Sequence, residues 1–330
     1  MLQYIFRRIF YAIPILIGVN ILTFALFFIV NTPDNMARMQ LGDKHVTKEA
    51  IEQWKINHGY NKALFFNEKE NNISGKITNT IFFDKSIKMF VGDLGFSDDG
   101  RNIQREIQQR MLPSLTIALP TFILGILAAV STALILSFFY KNGFYKLDFF
   151  GVIICILMMS ISGLFYIIGG QFLFAIMLKL VPISGFGDGF FDNIRFVILP
   201  VFIGVIAGLG GSVRWYRALF LEEINKDYVK TAIAKGLNQK TIYFKHILQN
   251  ALIPILTGVV VVIPSLFMGS LLMESFFGIP GLGSFTIEAI QSQDFSIVRA
   301  MVFVGSVLYI IGLILTDISY TLVDPRIKLN

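Results

Sequence analysis

Six runs of mainly apolar residues punctuate the chain: 9–30, 115–139, 149–178, 196–213, 251–273 and 300–322. A helix that crosses a bilayer takes about 20 such residues. The pattern therefore predicts an all-α polytopic membrane protein with six transmembrane helices. The third run is long enough to tilt. The fourth contains Gly204 and Gly208, a spacing that lets helices pack closely. The fifth carries Pro254 and Pro264. Six crossings put both termini on one side. Arg7 and Arg8 precede the first run, which exceeds the roughly 7–15 apolar residues of a signal core and is followed by no small-x-small cleavage site. It reads as a retained first helix.

Between the first two runs the chain turns polar. Residues 31–112 carry 12 Lys or Arg and 11 Asp or Glu. Thr47 followed by Lys48-Glu49 is a helix-start signal of the soluble kind. The division expected is a first helix (1–30), an extracytoplasmic insertion (31–112), a membrane core (113–322) with a loop at 214–250, and a tail (323–330).

Composition agrees. Of 330 residues, 55% are hydrophobic and 15% charged, with mean hydropathy +0.67; soluble domains carry about 25% charge. Such a chain is neither disordered nor built on disulfides, since Cys155 is its single cysteine. The net charge of +6 does not point to nucleic acid, because its cations gather beside apolar runs. The 214–250 loop has seven Lys or Arg against three acids, loop 140–148 is basic, and loops 179–195 and 274–299 are not. That asymmetry predicts cytoplasmic termini and a cytoplasmic 214–250 loop.

The loop is the most informative segment. Asp227–Lys235 reads as a helix with an acid at its start, Gly236 as the residue that ends it, and a second helix begins near Gln239. Its basic residues are spread around Ile233, Leu237, Ile242, Tyr243 and Phe244, an apolar content that suits docking on a partner. An interfacial helix on anionic lipid and a plain solvated connector are the other readings of the residues.

The run Asp227-Tyr228-Val229-x-Thr231-Ala232-x-Ala234-Lys235-Gly236-Leu237 closely resembles the cytoplasmic loop of ABC-importer permeases of the peptide and nickel branch. So does Glu274-x-x-Phe277-Gly278-Ile279-Pro280-Gly281-Leu282-Gly283, which is similar to the family's loop after the fifth span. Gly92-Asp93-Leu94-Gly95, Leu199-Pro200 and Val323-Asp324-Pro325-Arg326 match as well, and residues 35–90 match least. The chain lacks the family's Pro-Gly-Asp-Pro run after the first span and the proline of its third-span Ser-x-Pro pattern.

The resemblance implies the type I ABC importer permease fold in a bacterial cytoplasmic membrane. It implies a second homologous permease, two ABC ATPase subunits that bind the ATP and Mg, and an extracytoplasmic peptide-binding protein. Asp227, Tyr228, Thr231, Ala232, Lys235, Gly236 and Leu237 would couple to the ATPase. Glu274, Phe277, Gly278, Pro280, Gly281 and Gly283 would line the substrate path or outer gate, with Glu274 facing peptide or binding protein. Peptides are the expected cargo and nickel the alternative.

No cofactor site is expected in the chain itself. Ser74-Gly75-Lys76 lacks both the earlier glycine and the following hydroxyl of a P-loop. No metalloprotease motif occurs, and His45, His58 and His246 are scattered. A secondary transporter would bury coupling charges in mid-span, and an intramembrane hydrolase would need paired catalytic residues there; neither is evident.

Overall fold

The computed structural model describes residues 2–42, 46–187 and 189–323; Asp188 and the tail beyond Val323 lie outside them. All its regular elements are helices. α1 (Leu2–Phe24) continues as a widened turn, Ala25–Val30. Four short helices follow: α2 (Pro33–Leu41), α3 (Lys48–His58), α4 (Ile73–Thr78) and α5 (Ile81–Lys85). α6 (Ile103–Lys141), α7 (Tyr145–Ser160), α8 (Gly163–Gly170) and α9 (Phe190–Ile224) lead to the polar loop. There α10 (Asp227–Ala234) and α11 (Gln239–Thr241) stand before α12 (Leu248–Leu266), and α13 (Leu271–Phe277), α14 (Leu282–Gln291) and α15 (Phe295–Val323) complete the chain.

Among the described residues, five helices are long and apolar enough to cross a membrane: 10–30, 103–141, 192–224, 239–266 and 295–318. The third apolar run differs from expectation. It is not one tilted helix but a pair, Tyr145–Ser160 and Gly163–Met177, bent by 90°. A break inside an apolar stretch frees backbone groups that need partners. Tyr166 supplies one by donating its hydroxyl to the Met158 carbonyl at 2.9 Å. Counting the pair as one crossing gives six.

Other boundaries move for local reasons. α6 begins at Ile103, so the division drawn at 112/113 falls inside a helix. Asn102 caps it by accepting the Arg105 N–H at 3.0 Å, and Glu106 sits in the first turn. α9 runs eleven residues past Val213, because Tyr216, Phe220 and Ile224 extend its buried face into the core. The fifth run splits after Leu266, where Gly269 takes φ +70° and Ser270 caps α13.

The chain forms two compact units. Of the described residues, one holds those up to Arg110 together with Phe285–Ile314; the other holds Met111–Ser284 and 315–323. In the first, the lobe helices close over Phe24 and Phe28 at the end of the first span, with Met36, Ile51, Trp54, Tyr60 and Ile81 buried around them. Thr47 caps α3 as expected, accepting the Ala50 N–H at 3.3 Å. In the second, α7 and α9 lie so close that a Cβ on Gly210 would stand 2.5 Å from the Cys155 carbonyl oxygen. Gly204 similarly faces Thr121 at 2.7 Å, whereas Gly208 meets nothing within 4 Å. The close approach thus uses Gly204 and Gly210, not the Gly204/Gly208 pair.

Candidate functional site

The polar loop of the second unit folds as its sequence predicts. α10 starts with exposed Asp227, whose carboxylate accepts from Lys230 at 2.8 Å. Lys230 holds the Asp227 carboxyl below its ordinary range. Thr231 donates its hydroxyl to the Asp227 carbonyl at 3.0 Å. Gly236 ends the segment at φ +74° with open space where a side chain would project. That is the left-handed conformation only glycine takes cheaply. Asn238 then caps the next turn.

The apolar residues divide between two faces. Ile233 (53% exposed), Leu237 (40%) and Phe244 (65%) point outward and bracket the glycine turn. Val229, Ala232, Ile242 and Tyr243 are buried among Phe220, Ile224 and Ile247. Of the expected coupling residues, Asp227, Thr231, Lys235, Gly236 and Leu237 are therefore exposed, Tyr228 is half-buried, and Ala232 is packed inward.

Sequence reading missed what fixes this turn to the helices beneath it. Glu223 is 8% exposed and accepts from Lys226 and, at 2.7 Å, from the Tyr228 hydroxyl. Burial, then the bond to Glu223, pushes Tyr228 up to about 12. At the start of α7, buried Asp148 takes both arms of Arg217 from α9 at 2.7 and 2.6 Å. Tyr140 stacks over the same guanidinium with 5.5 Å to the ring centre. The signal available in sequence was a pair of opposite charges 69 residues apart, which no local spacing reveals.

The glycine-rich stretch after α13 is organised around Glu274. This residue is 1% exposed, so it does not stand free to face a ligand. Its carboxylate accepts the backbone N–H of Ser270 at 3.1 Å, of Gly283 at 2.7 Å and of Ser284 at 3.1 Å. Two of those donors open α14, where unpaired N–H groups and the helix dipole favour an anion. Ser114 accepts the next one, from Leu282, at 2.8 Å. The glycines make room: a Cβ on Gly269 or Gly281 would lie 1.9 or 2.3 Å from a Glu274 carboxylate oxygen, and one on Gly283 2.6 Å from the Ser270 backbone.

Phe277 is buried beneath this knot and its carbonyl takes the Gly185 N–H at 2.8 Å. Gly278, at φ +63°, and Pro280 are exposed. Beside the knot lies an apolar cavity of about 350 Å³ lined by Thr121, Phe122, Gly204, Leu266 and Met273, with Glu274 at its edge. The Thr121 hydroxyl in its wall has no hydrogen-bond partner among the described residues.

Comparison with known proteins gives a consistent result. The family model described as binding-protein-dependent transport system inner membrane component matches residues 109–329, and the model for the N-terminal part of the same components matches 1–88. The oligopeptide transport system permease protein AppB of Bacillus subtilis is 28% identical, over 99% of this chain and 100% of its own length. The dipeptide transport system permease protein DppB of Escherichia coli is 28% identical over 99% of both chains. The di/tripeptide permease DppB of Pseudomonas aeruginosa shows the same identity and coverage.

Proposed function

The chain belongs to the family of binding-protein-dependent transport system inner membrane components, and from that premise we propose that it forms half of a peptide-conducting pore beside a second, similar permease. It works with a solute-binding protein and a separate ATPase, and has no catalytic part in hydrolysis. Peptide as cargo is supported by the names of the full-length relatives; no observation favours nickel over it.

The observation that carries the coupling assignment is the exposed apolar rim of Ile233, Leu237 and Phe244 around a left-handed glycine. Its base is clamped by Glu223 and the Asp148–Arg217 pair. An apolar rim on a polar loop loses free energy in water and gains it in a partner's groove. A clamped turn also transmits displacement, because packed elements switch between discrete arrangements and do not bend continuously. In this reading two ATPases close on ATP, pull the turns of the two permeases, and exchange inward- and outward-open states. The Glu274 knot holds the opposite end rigid, with Gly278 and Pro280 as its exposed edge. Both termini and the 214–250 loop face the cytoplasm.

The test is reconstitution. Purified with its ATPases and second permease in liposomes, the complex hydrolyses ATP faster when peptide-loaded binding protein is added. Leu237→Asp leaves the chain folded but uncouples that stimulation and weakens co-purification of the ATPase. Peptide movement by the isolated chain in vesicles without any ATPase would overturn the reading.

A further inference from the structure

The first unit contains a cavity of about 750 Å³ for which the transport reading has no use. Four cations among the described residues line it, including Lys85 at the end of α5 and Arg299 near the start of α15. Arg299 is 4% exposed. Its guanidinium lies over Phe28, 5.0 Å from the ring centre, and one arm donates to the Lys85 carbonyl at 3.2 Å. Its Nε has no acceptor among the described residues. Lys85 Nζ rests over the Tyr60 ring at 5.0 Å. Neither cation has an ion-pair partner among the described residues, whereas Lys62 and Lys88 in the same cavity both pair with Asp84.

The surrounding acids are already engaged. Asp98 accepts from Gln40 and stands 3.7 Å from His58. Asp294 accepts the N–H groups of Asp98 at 2.8 Å and Ile297 at 3.1 Å. Asp93 accepts from Gly95 at 3.1 Å. Asp98 acts on both cations through space but forms an ion pair with neither, and burying like charges side by side without a counter-ion in contact is costly. Burial, then the charge of Arg299, lowers Lys85 to about 8. Two cations that line one open volume without an ion pair, one of them with an unsatisfied N–H, offer the charge and the donors that a carboxylate takes.

We infer that this cavity is a carboxylate-binding site, with the carboxylate held by Lys85 and Arg299. The site stands on the geometry of this unit alone, whatever the pore transports. A free molecule ending in a carboxylate and an acidic side chain on an inserted protein segment offer the same chemistry.

Trp54 is the natural reporter, since its ring stacks on His58 at 4.1 Å and His58 lines the cavity. The experiment uses the full chain in nanodiscs, with Trp215→Phe so that Trp54 is the one fluorophore. Three probes are titrated: dialanine, dialanine amide, and a blocked peptide whose carboxylates are glutamate side chains. Dialanine or the glutamate peptide should give a saturable change, the amide none. Response to dialanine alone assigns a free ligand, and response to the glutamate peptide alone assigns a protein segment. Lys85→Met should weaken binding by about tenfold or more, the worth of one charged hydrogen bond, while Lys85→Arg retains it. Equal response to acid and amide, unchanged affinity in a folded Lys85→Met chain, or no response to any probe up to about 10 mM, a binding free energy near −3 kcal/mol, would overturn the inference. The acid–amide comparison in the parent chain decides the matter even where Lys85→Met does not fold.

Discussion

At the scale of single residues, the chain hides its charges in backbone cages and ion pairs, and each makes a distinct prediction. Glu274→Gln keeps the shape but places an amide N–H₂ against backbone N–H groups that now converge on oxygen. A buried group left without its partner costs about 1–3 kcal/mol, so the melting temperature in detergent should fall. Gly283→Ala should do the same through its 2.6 Å clash with Ser270, because backbone there cannot step aside. Asp148→Asn strands a half-buried guanidinium and should cost about 3–5 kcal/mol, as breaking a buried pair does; a thermal melt with Arg217→Met restored beside it measures the coupling. Lys85 sets a pH dependence. Its value of about 8 in the fold, against an ordinary 10.5, means the unfolded chain binds more protons between those values. Stability therefore rises as pH climbs from about 8 to 10.5, and the cost of the charged ammonium is present in full below about 8. Asp98, Asp84, Lys62 and Arg299 share that field, so Lys85→Met should flatten the slope in hydrogen exchange of the lobe.

At the scale of elements, helix contact is decided by which glycine faces a neighbour. Gly208→Ala points into open space and should leave stability unchanged, while Gly210→Ala must push α7 from α9 by way of the Cys155 carbonyl. Denaturation of the two variants side by side checks this. The Gly-x-x-x-Gly spacing was legible in sequence, but the helix rotation that selects among Gly204, Gly208 and Gly210 was not. The ends of elements were legible wherever the cap is local. Thr47 and the Gly236 turn stand where their residue types place them. The 90° break at Ser160–Gly163 was not read from the sequence, although Ser160, Ser162 and Gly163 interrupt the apolar run there without a proline; Tyr166 reaches back across it to Met158.

At the scale of the whole molecule, the apolar runs specify a membrane protein, and its family is a permease component whose ATPase is a separate subunit. Transport must then be paid for elsewhere, and the exposed rim at Ile233, Leu237 and Phe244 is where we place the transfer of work. Gly236→Ala adds no clash, only the left-handed strain of about 1–2 kcal/mol. It should lower coupled ATP hydrolysis less than Leu237→Asp, which places a charge in the apolar contact.

Sequence alone determined the class of the protein, because bilayer thickness, backbone hydrogen bonding and the charge of flanking loops act on composition and length without reference to neighbours. It also determined the helix–glycine–helix of the polar loop, since Asp227, Gly236 and Asn238 act within a few residues of themselves. Tertiary structure decided the rest. It turned Ala232, Ile242 and Tyr243 inward, wrapped Glu274 in donors, joined Asp148 to Arg217 and set Arg299 beside Lys85. Each of these depends on which faces of distant helices meet, and on the energy of an unpaired polar group once water is gone.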